Sequence, residues 1–330
     1  MRVVVTIDGE LLVSLGYNAG IAEQKAAIRS VVKAMGNLLC SGNQIVICHG
    51  NAPQIGTILL RSEAARHIVY PLPLDVCGAD TQGATGYMFQ QAIQSWLEQH
   101  GRHLEIVTLI TQVVVSEKET AMNPAKKGIG PYFDRELAQQ YHTTRGWDME
   151  MVPGYGYQRA VPLLMPERII ETNSIRALVE SGTLVICAGG GGIPVRIDSH
   201  GMRVGVDAVV DKAYTTAMLA REIQAEAIIF VTPLEHLVGV LGPDTATQVR
   251  MIDPATLEIL IEEKIALDDP LRHKLVAGRT FLRSGGKLVV IVPPGELGKL
   301  PQVGYGIFLD NGEDSIFLRH SILDGQRRSQ

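Results

Sequence analysis

Short runs of aliphatic and β-branched residues recur along this chain, several ending in glycine-bearing turns, with stretches of helical period between them. Strands separated by helices cannot pair as tight hairpins, so the alternation specifies a mainly parallel sheet with helices on both faces, a three-layer α/β/α fold. Six runs read as strands: Val3–Ile7, Gln44–Cys48, Ile106–Thr111, Leu184–Cys187, Ala227–Thr232 and Lys287–Val292. Ile21, Ile28, Val31, Val32, Met35 and Leu39 recur at helical spacing and predict a helix over Ile21–Leu39 with one apolar stripe. Further helices are predicted over Arg61–Ala65, Met88–Gln99 and Tyr214–Gln224, and Pro301–Leu309 reads as a closing strand.

At 330 residues and 46% hydrophobic content, the chain can bury a sizeable core without disulfide staples. Cys40, Cys48, Cys77 and Cys187 lie in apolar stretches with no C-x-x-C pairing, so they read as reduced, buried thiols and no metal site is expected from them. A net charge of −5 with dispersed lysines and arginines argues against nucleic acid as a partner. The first residues lack the continuous apolar segment of a signal peptide, and no window of about 18 apolar residues predicts a membrane span, so a cytoplasmic protein is expected. The stretch from about 117 to 158 breaks the rhythm. Several Pro and Gly, many charges and four of the nine tyrosines mark it as an inserted lid subdomain.

Three turns can carry chemistry. Strand Leu184–Cys187 runs into Ala188 and the four glycines Gly189, Gly190, Gly191 and Gly192; without Cβ atoms, their N–H groups can converge on an anion. The run fits neither the dinucleotide fingerprint nor the nucleoside triphosphatase loop. After strand Gln44–Cys48 comes His49-Gly50-Asn51-Ala52-Pro53-Gln54-Ile55-Gly56, where Asn51 and Gln54 can donate to a small polar substrate. His49 reads more readily as a satisfied structural histidine than as a catalytic one. The third turn, Asp8-Gly9-Glu10, follows the first strand, so all three belong at the carboxyl edge of the sheet, where open α/β folds bind ligands.

Together these motifs resemble the carbamate kinase family within the amino acid kinase fold. HGNAPQIG is similar to the family's HGNGPQVG, and LDVCGADTQGATGYMFQQAI at Leu74–Ile93 to its LDVCGAMSQGMIGYMLQQAL. TQVVV, NPAKKGIGPYF, AGGGGIPV and VDAVVDK are further matches, and the likeness runs from the first strand to about Val292. The resemblance implies phosphoryl exchange between ATP and carbamate, giving ADP and carbamoyl phosphate, with Mg2+, in a homodimer. It implies a substrate lobe over 1–205 and a nucleotide lobe over 206–330. Lys126, Lys212 and Lys274 carry over as catalytic lysines. Gly9, Gly50, Asn51, Gln54, Gly190 and Gly191 carry over toward the carbamate or carbamoyl phosphate, and Gly189, Gly192, Asp211, Lys212, Thr232 and Lys274 toward the nucleotide.

Four departures fall on this machinery. The family's LGGNA turn becomes Ile7-Asp8-Gly9-Glu10-Leu11, placing a carboxylate where a glycine should approach the phosphoryl group. Asp-Lys-Asp becomes Asp211-Lys212-Ala213, T-D-V becomes Thr232-Pro233-Leu234, and S-M-x-P-K becomes Pro270-Leu271-Arg272-His273-Lys274. Like charges about 4 Å apart cost on the order of 4 kcal/mol at an effective dielectric of 20, so phosphate binding beside Asp8 should suffer unless a metal or lysine compensates. Two readings follow: a divergent carbamate kinase, or a catalytically impaired binding or scaffold protein partnering a carbamoyl-transferring enzyme.

Overall fold

A computed structural model describes residues 1–13, 20–116, 125–241, 248–262, 269–300 and 305–310. Its centre is an eight-stranded sheet of β1 (Arg2–Ile7), β2 (Gln44–His49), β3 (Ile106–Thr108), β4 (Leu184–Ile186), β5 (Ala227–Val231), β6 (Gln248–Ile252), β7 (Leu288–Val292) and β8 (Tyr305–Asp310). The spatial order is β6-β8-β7-β5-β1-β2-β4-β3. Every pairing is parallel except β7 with β8, where the chain returns antiparallel. The sequence expectation of a closing strand thus corresponds to β8; residues 301–304 of that expected run lie outside the described residues.

Period-two alternation divides the strand side chains between two cores. Val4, Val46, Val185, Ile228 and Val289 join Leu219, Ala220, Leu275 and Phe281 on one face. Val3, Val5, Ile47, Ile186, Ile229 and Val290 join Ile28, Val32, Phe89 and Ile93 on the other. Residues buried on both faces read as continuous hydrophobic runs, which is why the strands were legible.

Several boundaries differ from the periodicity. The first helix ends at Ala34 and a short one resumes at Gly36–Cys40; a Cβ on Gly36 would lie 2.5 Å from the Trp96 ring, so the break lets the indole lie against backbone. Arg61–Ala65 is the end of a longer helix, Ala52–Ala64, and Met88–Gln99 the second half of Leu74–Gln99. β3 stops at Thr108, and after Thr111 turns away the chain continues as Gln112–Val115 in a second sheet. Cys48, Cys77 and Cys187 are free and buried as expected, while Cys40 is only half-buried.

The expected lid is more regular than its composition suggests. Strands Lys126–Phe133, Asp148–Val152 and Gly156–Leu164 form a small antiparallel sheet. Helix Arg135–Arg145 is capped by Asp134, which accepts from the Leu137 N–H at 2.8 Å, and ends at Gly146 with φ +67. The proposed start of the insertion, 117–124, lies outside the described residues. Ile129, Trp147 and Val161 pack with Ile55, Leu59, Leu74 and Cys77, which seats this layer on the helices flanking the second turn.

Candidate active site

Because β1, β2, β4, β5 and β7 run parallel, their carboxyl ends deliver Asp8, His49, Cys187, Thr232 and Pro293 to one edge. The Asp8–Glu10 and His49–Gly56 turns touch through glycine: a Cβ on Gly50 would lie 2.3 Å from the Gly9 nitrogen, and the Gly50 N–H donates to Ile7 O at 2.7 Å.

Asp8 is the centre of the site. Its Oδ1 accepts from Lys212 Nζ at 2.6 Å, and its Oδ2 pairs with Lys274 Nζ at 2.8 Å and accepts from the Thr232 hydroxyl at 2.7 Å. Lys212 also donates to Ile7 O at 3.2 Å. The Asp8 and Lys274 side chains are only 12% and 5% exposed, so these contacts work in a poorly solvated setting. Burial alone would raise the Asp8 pKa, but the charges and hydrogen bonds of Lys212 and Lys274 overcome it and hold the carboxyl far below its usual range. The anticipated repulsion is therefore compensated by lysines from the far half of the chain.

Glu10 is compensated separately. Its Oε2 lies 3.3 Å from His236 Nε2, whose Nδ1 lies 3.1 Å from the Thr232 hydroxyl. His236 thus bridges Glu10 and Thr232, and through the Thr232 hydroxyl it is linked to Asp8. The hydrogen bond to His236 draws the Glu10 carboxyl below its ordinary range. Asp211 caps helix Lys212–Glu222 by accepting from the Tyr214 N–H, and its Oδ2 meets His273 Nδ1 at 2.6 Å. Burial opposes ionisation of Asp211, yet the hydrogen bond and charge of His273 outweigh it and lower its pKa.

The four-glycine turn is held by its neighbours. Gln82 donates to Gly189 O at 2.9 Å and accepts from the Thr111 N–H at 2.8 Å, while the Thr111 hydroxyl accepts from the Ala188 N–H at 2.9 Å. Gly190, Gly191 and Gly192 have φ of +70, +95 and +98, where side chains are strained. A Cβ on Gly190 would also lie 2.1 Å from Asn51 Oδ1. The N–H groups of Gly191 and Gly192 bond to Ala188 O and Gly189 O, so in this conformation they close the turn rather than face a ligand. This narrows the expectation that the N–H groups of this turn can converge on an anion.

The His49–Gly56 turn contains an unusual group. Asn51 is anchored, donating to Thr81 Oγ1 at 2.7 Å, whereas Gln54, three residues on and only 8% exposed, has neither amide atom in a hydrogen bond among the described residues. A buried amide in that state is a candidate ligand contact, because its desolvation is otherwise uncompensated. His49 donates from Nδ1 to Gly50 O at 3.1 Å and stacks on Phe89; burial lowers its pKa to about 4, so it is a neutral structural ring.

Of the three lysines read from sequence, Lys212 and Lys274 meet on Asp8, while Lys126 pairs with Asp148 within the small antiparallel sheet at 3.1 Å. Sequence reasoning missed Gln82, Thr111, His236 and His273. Gln82 and Thr111 stand inside segments already singled out and His273 inside the departure before Lys274, but no local pattern marks His236. Among the described residues no cluster of three or more His, Cys, Asp or Glu is placed to hold a metal, and both Asp8 oxygens face ammonium groups. The described residues do not make a magnesium site by themselves.

The amino acid kinase family profile matches residues 1–292. A carbamate kinase of Pyrococcus horikoshii is 35% identical over 292 residues, 88% of this chain and 93% of that protein. A carbamate kinase-like protein of Escherichia coli is 37% identical over 295 residues with the same shares covered. Among solved structures, the carbamate kinase of Giardia lamblia bound to AMP-PNP superposes with a TM-score of 0.79 at 26% identity, over 94% of this chain and 98% of that one. The same enzyme bound to citric acid gives 0.83.

Proposed function

Because the chain belongs to the amino acid kinase family, and within it to the carbamate kinases, we propose that it exchanges a phosphoryl group between ATP and carbamate, in the direction ADP plus carbamoyl phosphate giving ATP plus carbamate and in reverse. One observation carries this reading: two ammonium groups from separate helices meet on a single anion position at the carboxyl edge of the sheet. Phosphoryl transfer depends on positioning and on neutralising the moving group, and a lysine pair at the sheet edge supplies both.

In this reading a nucleotide phosphate oxygen attacks the phosphorus of carbamoyl phosphate and the bond to the carbamate oxygen breaks. Lys212 and Lys274 offset charge on the moving group. The Gln54 amide, with one donor side and one acceptor side available, matches a carbamoyl group, which presents a carbonyl oxygen and an N–H. Gly9, Gly50, Asn51, Gly190 and Gly191 shape that end. The nucleotide end is assigned to the 206–330 lobe, with Gly189, Gly192, Asp211 and Thr232 at its border, and 1–205 to the substrate lobe. Lys126 serves from the lid. Magnesium would enter with the nucleotide phosphates, as is usual for this ion. The same reading places a homodimer in the cytoplasm.

Purified chain with ADP, magnesium and carbamoyl phosphate should form ATP, with the rate lost in Lys212→Ala. No ATP above background from either the wild type or Asp8→Gly would overturn the reading. Asp8 itself favours a second one, a kinase-derived binding protein for a carbamoyl-transferring enzyme, since the lysine pair is already neutralised in part. Absence of ADP and ATP binding by calorimetry, with co-purification of such a partner, would select it.

A further inference from the structure

Asp8 pairs with both Lys212 and Lys274, and its position is unlike that of an ordinary structural ion pair. It begins the turn after a central strand, at the edge where ligands of open α/β sheets bind. Its three partners Lys212, Thr232 and Lys274 all come from the second half of the chain. The charges do not balance: Lys212 and Lys274 contribute two positive charges against one negative charge from Asp8, while Glu10 and Asp211 face their own histidines. A phosphoryl dianion would neutralise the pair more completely than the resident carboxylate does.

We propose that Asp8 is a built-in anion occupying the phosphoryl position, so that phosphate groups engage Lys212 and Lys274 only by displacing its side chain. Asp8 thereby sets specificity, disfavouring simple phosphates and leaving the lysine pair to ligands whose remaining contacts, such as those at Gln54, are strong enough to move it. The inference rests on the reading of Lys212 and Lys274 as phosphoryl lysines.

The test is chemical rescue with inorganic phosphate. Asp8→Asn and Asp8→Gly leave Lys274 buried without its carboxylate, so both should melt below the wild type in phosphate-free buffer. Phosphate should restore much of that loss while barely moving the wild type. It should also bind the variants tighter by at least about tenfold, the effect of one additional charge-assisted hydrogen bond. Lys274→Met in the Asp8→Gly background should abolish the phosphate effect. A variant that fails to fold without phosphate but folds in its presence supports the proposal; failure of both variants in both buffers overturns it. Equal phosphate affinity in wild type and variants also overturns it. Tighter phosphate in the variants without ATP formation by the wild type or Asp8→Gly keeps this inference and sinks the proposed activity; wild-type ATP formation with no rise in phosphate affinity in the variants does the reverse.

Discussion

Replacing Gln54 by Met tests whether the substrate turn is built for a ligand at the expense of the empty fold. Both amide atoms of Gln54 are buried without hydrogen bonds among the described residues. A buried unsatisfied polar group costs about 1–3 kcal/mol, and Met keeps much of the length while removing both, so a net gain of about 1–3 kcal/mol is expected after imperfect packing. With an unfolding entropy of about 2.1 cal/mol/K per residue, roughly 0.7 kcal/mol/K for this chain, that gain raises Tm by about 1.5–4 °C. Loss of two ligand hydrogen bonds at about 0.5–1.5 kcal/mol each should weaken carbamoyl phosphate by roughly 5- to 150-fold. Calorimetric melting without ligand and titration with carbamoyl phosphate read the two effects. A lower Tm with unchanged affinity would refute the reasoning, because it would make Gln54 a structural residue whose partners matter in the empty protein.

Acid should destabilise the chain in two stages. His49, neutral in the fold with a pKa of about 4 and near 6.5 when unfolded, contributes stability at neutral pH that is lost as pH falls from about 6.5 toward 4, on the order of 3 kcal/mol; His49→Gln should flatten that limb in a denaturant series. Asp8, whose folded pKa is depressed, contributes stability above about pH 4 that is lost below it; Asp8→Asn should lack the second limb. Gly190→Ala places a methyl group against the Asn51 amide at positive φ, and a loss of about 1–3 kcal/mol in chemical denaturation is expected. Lys126→Ala breaks a partly exposed ion pair, so stability should change by less than about 1 kcal/mol, while ATP formation should fall at least about tenfold if the lid lysine acts on the transferring group.

The sheet was legible because strands buried on both faces leave continuous apolar runs, as in β1, β5 and β7. The helix Leu74–Gln99 was read only in its second half, since glycines and small polar residues interrupt its first half. The small antiparallel sheet looked irregular because it is polar and narrow, and its order comes from packing Trp147 and Ile129 against Ile55 and Leu59.

Local sequence by itself determined the strand-to-turn order and hence the sheet edge on which the glycine turns gather, because those follow from backbone sterics and side-chain periodicity. It also marked Asp8 as a departure, but with the sign of its effect open. The tertiary structure decided that sign: Lys212 and Thr232 stand 204 and 224 residues away, and Lys274 farther still, so only the parallel pairing of β1 with β5 and the seating of the Asp269–Arg283 helix bring them to one carboxylate. Charge compensation and the unpartnered state of Gln54 are properties of neighbours in space, and no local pattern encodes them.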